Sequence, residues 1–268
     1  MKASSLIGVI VAGLGIAVGA TMEGSPVMAV LNPSAMLIVM GGTFGAAMAG
    51  TSMANVKNIP KLYKLCFSAP AHDLTGRLKE LVGYAEKARR DGLLALDEQL
   101  ATVEDPFVKK GLQLVVDGTD PDLVADVLDA ENDAMRKRHI SAVQPFDKAG
   151  GYAPTMGIIG TVFGLVHVLS NLDSPETLGP SISAAFIATL LGVASANVVY
   201  LPVAARLKAL SADEMHFRAM TLEGILAIQA GDNPRVVAEK LMAYVPPAQR
   251  PTEADRAAAA ATPAQAAA

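Results

Sequence analysis

Four runs of apolar residues, each free of Asp, Glu, Lys and Arg, punctuate the chain: Ser4–Met22, Ala35–Met53, Tyr152–Leu172 and Ser181–Ala205. Each is close to the ~20 residues that cross a bilayer core as a helix. A charge at the bilayer centre costs roughly 2.5–3.5 kcal/mol, so its absence from all four runs is informative. The pattern predicts four transmembrane helices in two pairs. Four buried helices of a soluble core would leave too little polar surface to cover them in 268 residues. The first run is read as a retained span, because no convincing small-x-small cleavage site precedes Glu23 and only Lys2 stands ahead of it.

Between the pairs, Ala54–Gly151 is polar but patterned. Leu74, Leu78, Leu81, Val82 and Ala85 recur at helical spacing, with Asp73 placed to cap them. Gly92 interrupts the pattern, and Leu93, Leu94 and Leu96 resume it. A helix is expected over Pro106–Val116, ending at Asp117 and Gly118. The next is expected from Pro121, capped by Thr119 or Asp120, running toward Ile140. Pro145, Gly150 and Gly151 are expected to break the chain before the third apolar run. After the fourth run, Leu207–Ala230 reads as a separate amphipathic helix, and Asp232, Asn233 and Pro234 open a short one through Tyr244. From Pro246 onward Pro, Ala and Gln dominate, which predicts a disordered tail. No strand alternation is visible. The fold class is therefore an all-α integral membrane protein with a 2 + 2 span layout. Its expected segments are 1–53 for spans one and two, 54–151 for a cytoplasmic helical loop, 152–205 for spans three and four, 206–245 for cytoplasmic helices and 246–268 for the tail.

The basic residues orient these spans. The hairpins Glu23–Ser34 and Asp173–Pro180 contain no Lys or Arg, and all 22 basic residues lie in the N-terminus, the loop or the C-terminal segment. By the positive-inside rule both termini and the loop face the cytoplasm. Composition adds that the chain is 51% hydrophobic, with 23 Gly, 12 Met and no Trp. Small residues suit tight helix packing in a membrane. A net charge of −4 gives no reason to expect nucleic acid. One cysteine, Cys66, excludes a disulfide framework and a cysteine-based metal cluster.

Candidate chemistry lies in the third and fourth spans. Gly157, Gly160, Thr161 and Gly164 share one small-residue face; Ala185, Ala188, Thr189, Gly192 and Ala196 share another. Thr161 is near mid-span and Thr189 about three residues from mid-span, roughly 4.5 Å at 1.5 Å per residue. Their hydroxyls can line an ion path or simply bond back to the carbonyl four residues earlier. Pro154 and Pro202 sit near the inner ends of the same two spans, as hinges or as helix boundaries. His167 reads as a packed or interfacial histidine rather than a proton relay. No other ionisable group lies in the spans, although an ion pathway normally needs one. A partner must then supply the carboxylate. No nucleotide-binding loop, nucleophile elbow or zinc motif is present, so no enzyme and no cofactor is expected.

Several runs resemble the A subunit of the bacterial flagellar stator, the MotA/PomA family. They are YAPTMGIIGTVFGLVH (Tyr152–His167), ATLLGVASANVVYLP (Ala188–Pro202), GILAIQAGDNPR (Gly224–Arg235), ARRDGLLALDE (Ala88–Glu98) and VVDGTD (Val115–Asp120). The likeness covers about residues 1–245. It implies a pentamer around a dimer of a single-span, Asp-bearing B subunit, driven by H+ or Na+, whose cytoplasmic loop turns the rotor protein FliG. It implies that Arg89, Arg90, Asp97 and Glu98 face the rotor, that Pro154 and Pro202 serve torque, and that Thr189 and Thr161 lie on the ion path. Sodium-driven members tend to carry Thr at the position of Thr161. Asp91 departs from the family pattern and sets a carboxylate beside Arg90; taken without the resemblance, these charges would read as a solvated helix face. Two other readings remain. One is a TolQ/ExbB-like energiser of the envelope, which has three spans and a different loop order. The other is a self-contained transporter, which would need its own membrane carboxylate or broken helices.

Overall fold

The computed structural model describes residues 2–24, 31–68, 72–173 and 175–250, and these are helical wherever they are regular. Helix α1 is Lys2–Met22, α2 Pro33–Ala49 and α3 Met53–Ser68. Helix α4 is Leu74–Asp91, followed by a 3-10 turn at Leu93–Leu96 and the short α5 at Asp97–Leu100. Then come α6 (Pro106–Val116), α7 (Pro121–Leu169), α8 (Glu176–Gln229) and α9 (Pro234–Met242). The tail expected from Pro246 lies, from 251 on, outside the described residues.

The caps follow the local sequence. Asp73 accepts from the Gly76 N–H at 2.9 Å, and this backbone bond holds its carboxyl below the usual carboxylate range. Asp105 caps α6, Asp120 the start of α7 and Asn233 that of α9. Gly92 ends α4 with φ +86°, where a side chain would be strained.

Two expected breaks are absent. Helix α7 runs without interruption through Pro145, Gly150 and Gly151. Pro145 deprives the Ser141 carbonyl of its helical donor, and Asn55 of α3 supplies a replacement: its amide donates to that carbonyl at 2.9 Å. Gly150 is not a breaker but a contact point, since a Cβ there would lie 2.7 Å from Leu201 Cγ. Likewise the fourth apolar run and the helix after it are one element, α8, with a π-helical turn at Ala196–Tyr200. The boundaries read at 151 and at 205 thus fall inside continuous helices.

The chain divides into two compact units. The first takes the described residues of Met1–Pro70 and Lys137–Ser211. Its large apolar side chains are widely exposed: Leu6, Ile7, Val11, Leu14, Phe163, Val166 and Phe186 lie 49–64% open. Such a surface suits lipid, not water. Ala47, Ala149, Ala153 and Ala196 pack around Tyr200 in one of its small cores, and Val143, Phe146, Val203 and Leu207 form another. Helices α7 and α8 are long and apolar enough to cross a membrane, whereas the apolar stretches Leu6–Met22 and Pro33–Ala49 are shorter. The second unit takes the described residues of Ala71–Arg136 and Ala212–Ala268, and it is built like a water-soluble domain. Leu81, Leu96, Val108, Leu112, Val124, Leu128, Ile225, Ile228 and Leu241 are all at most 1% exposed in one core. Arg77 and Arg218 lie over the rings of Phe217 and Phe107 at its rim.

Candidate functional site

In the first unit α7 and α8 approach closely along the two small-residue faces. A Cβ at Gly157 would meet the Ala188 carbonyl at 2.9 Å, and one at Gly164 the Ala185 Cβ at 2.6 Å. Gly192 lies against the Ala153 carbonyl and 3.0 Å, measured from its missing Cβ, from Gly157 Cα. Side chains at these positions would hold the helices apart.

That approach brings the two threonines together. Thr161 Oγ1 and Thr189 Oγ1 are hydrogen-bonded to each other. Thr161 Oγ1 also lies 2.9 Å from the Ala185 carbonyl and 3.1 Å from that of Gly157, and Thr189 Oγ1 is 3.5 Å from the same Gly157 oxygen. The bond of Thr161 back to Gly157 is the ordinary helical one. The bonds across to Ala185 and Thr189 are not. Four neutral oxygens converge, with two hydroxyl protons to share among them. Hard cations prefer oxygen ligands, and this cluster offers them without a net charge. A separate cavity of about 210 Å³ is lined by Asn32, Ser34, Gly160, His167, Ser181 and Ala185 among others, and by neither threonine. His167 lines this cavity, and its carbonyl accepts from Asn171 at 2.8 Å. Among the described residues no group of three or more His, Cys, Asp or Glu could hold a metal ion.

Pro154 and Pro202 both lie inside helices, so neither marks a boundary. Pro154 is in α7, one turn before Gly157. Pro202 follows the π-helical turn of α8. Helix α2 has a π-helical turn of its own at Leu37–Gly41, and Tyr200 donates from one to the other, its hydroxyl 3.5 Å from Met40 Sδ. Sequence reading missed this link and also missed Thr43. Thr43 is fully buried on the α2 face that carries Val39 and Ala47, and its hydroxyl has no partner. Nothing in the local sequence distinguishes it from any other mid-helix threonine.

Residues 6–92 match the motility protein A N-terminal model, and residues 99–220 match the MotA/TolQ/ExbB proton channel family. Motility protein A of Bacillus subtilis (strain 168) is 38% identical over 254 residues, 93% of each chain. The chain belongs to the motility protein A family. Chemotaxis protein PomA of Vibrio alginolyticus is 32% identical over 95% of this chain and all of its own. Among solved structures, C. jejuni MotAB superposes with a TM-score of 0.87 at 31% identity, over 94% of this chain and 98% of that one. The flagellar MotAB stator complex of Bacillus subtilis gives 0.84 at 36%, over 95% and 98%. The resemblance read from the motifs is thereby borne out, and the family is one of channels and stators rather than enzymes.

The second unit holds the residues that the MotA-family resemblance assigns to the rotor. Arg89 and Arg90 occupy the exposed last turn of α4, Asp97 and Glu98 the exposed first turn of α5. Lys87 and Glu98 link the two at 3.4 Å. Arg90 Nε and Nη2 clasp Asp91 at 3.0–3.2 Å. The Arg90 hydrogen bonds hold the Asp91 carboxyl below the usual carboxylate range and push the Arg90 guanidinium up. Arg89 and Asp97 have no ion-pair partner among the described residues.

Proposed function

We propose that the chain is the ring-forming A subunit of a flagellar motor stator, converting ion flow across the inner membrane into rotation. The observation that carries this reading is the oxygen cluster at Thr161 and Thr189, set where α7 and α8 touch and lacking any carboxylate. Such a cluster is half of an ion site. The Asp of a single-span B subunit completes it; that the neighbouring structures are MotAB complexes supports a B partner. The four spans lie in 1–53 and 152–205 in two pairs, with both termini and the loop 54–151 cytoplasmic, a reading that the distribution of Lys and Arg supports. Residues 206–245 continue the cytoplasmic part. Five copies surround a B dimer, and Arg89, Arg90, Asp97 and Glu98 meet the rotor protein FliG. The exposed positions of these four side chains support that role. Pro154 and Pro202 act as hinges within continuous helices.

Of H+ and Na+, the hydroxyl at Thr161 favours Na+, because a proton needs no coordinating shell and a sodium ion does. The test is swimming speed against sodium concentration in the presence of a protonophore. The native chain should support swimming that rises with sodium. Thr161→Ala should abolish that dependence or reduce speed severalfold. Sodium dependence unchanged by Thr161→Ala would reject the coordinating role.

A further inference from the structure

Helix α3 has two unlike faces. Ile59, Leu62 and Cys66 pack into a small core with Val143, Phe146, Val203 and Leu207. Lys57, Lys61 and Lys64 are exposed, and at 100° per residue they fall within an arc of about 60° on the opposite side. None of the three has an ion-pair partner among the described residues. Exposed apolar side chains flank the stripe: Met53, Leu65 and Phe67 are 57%, 43% and 38% open.

The surrounding charge is one-sided. Within 53–68, 137–151 and 205–211 the single acidic residue is Asp147, against Lys57, Lys61, Lys64, Lys137, Arg138, Lys148, Arg206 and Lys208. Lys208 already holds Asp147 at 2.8 Å. Arg206 is only 9% exposed and its Nε has no hydrogen-bond partner. It lies close enough to Cys66 to draw down a thiol that burial pushes up. A buried unpaired cation is costly, and an anion held nearby reduces that cost.

We propose that the Lys57–Lys61–Lys64 face of α3 is a binding site for the headgroups of anionic phospholipids in the inner leaflet. This rests on the inward orientation given above, which places α3 directly after the second span. Lysines beside apolar side chains on a helix at the membrane surface match a phosphate plane above an acyl layer. The three exposed lysines without ion-pair partners among the described residues supply the complementarity.

The complex of this chain with its B subunit, purified in neutral detergent, can be titrated with dioleoylphosphatidylglycerol or dioleoylphosphatidylcholine, and bound lipid counted by native mass measurement. The wild type should bind the phosphatidylglycerol preferentially, and 1 M salt should remove the preference. Each lysine contributes about fivefold. Lys61→Gln should therefore weaken binding by about fivefold, and Lys57→Gln with Lys61→Gln and Lys64→Gln by roughly a hundredfold, with phosphatidylcholine binding unchanged. Wild-type affinity in the triple variant would overturn the proposal. So would a triple variant that keeps its phosphatidylglycerol but no longer binds the rotor protein, since the stripe would then be a protein interface. The orientation is tested separately with a membrane-impermeant thiol reagent on a Lys57→Cys variant. Labelling only after spheroplasts are opened supports it. Labelling of intact spheroplasts refutes the orientation, whatever the lipid titration gives.

Discussion

Arg89 and Arg90 are neighbours in sequence with different surroundings. Asp91 occupies two nitrogens of Arg90, while Arg89 has no ion-pair partner among the described residues. If these side chains meet acidic groups on the rotor, Arg89 is the better placed of the two. Arg89→Glu should reduce swimming more than Arg90→Glu, and Asp91→Ala should raise the contribution of Arg90, all with normal membrane assembly. Equal swimming by the two reversals would deny Arg89 its predicted lead. Normal swimming by the Arg89→Glu, Arg90→Glu double variant would remove rotor contact from this helix end altogether. The same scale shows what motif reading can reach. Thr161 and Thr189 were identified from spacing and resemblance, and the structure brings their hydroxyls together. Thr43 was not, because a buried orphan hydroxyl is defined by neighbours from other helices.

At the scale of elements, helix starts were legible and helix continuity was not. Asp73, Asp105 and Asn233 cap where their side chains and the following residues dictate. Pro145 should end a helix by local rules, and it does not because Asn55 caps the Ser141 carbonyl from 86 residues away. Gly150 reads as flexible in sequence, and its use is to admit Leu201. Such rescues depend on tertiary contacts and leave no local trace. Pro202 belongs to the same class. It cannot donate a hydrogen bond, and the π-helical turn at Ala196–Tyr200 just before it absorbs the misfit. Pro202→Ala restores the donor and should let that turn tighten. Torque measured on tethered cells should fall severalfold while the assembled complex keeps its mass. Wild-type torque would show that the proline is only tolerated there.

For the whole molecule, two kinds of packing coexist in one chain. The first unit has several small cores and exposes many large apolar side chains; the second hides its large apolar residues in a single core. Hydropathy runs made that contrast predictable. The exact division was not, since α3 and the stretch of α7 from Lys137 belong with the spans rather than with the rest of the loop. The second unit also has a pH-sensitive tie. Lys110 donates to Glu131 at 2.8 Å and Arg218 lies 3.6 Å away, and these hold the Glu131 carboxyl below its ordinary value of 4.5. A lowered folded-state pKa stabilises fully above the unfolded value and is lost as pH falls through the folded one. Because Glu131 is partly exposed, Glu131→Gln should destabilise this unit by only about 0.5–1 kcal/mol at pH 7. The difference should shrink as pH falls below 4.5 and through the lowered folded-state value. A thermal-melting difference that does not shrink as pH is lowered from 7 to well below 4.5 would dismiss the tie.

The central claim is that this chain carries half of an ion path and the whole of the arm that moves the rotor. Rotation of tethered cells lacking their own stator proteins tests it directly. Cells given this chain together with a single-span B subunit should rotate. Cells given either subunit alone, or this chain with a B subunit whose membrane Asp is changed to Asn, should not. Rotation with the Asn partner would contradict the account.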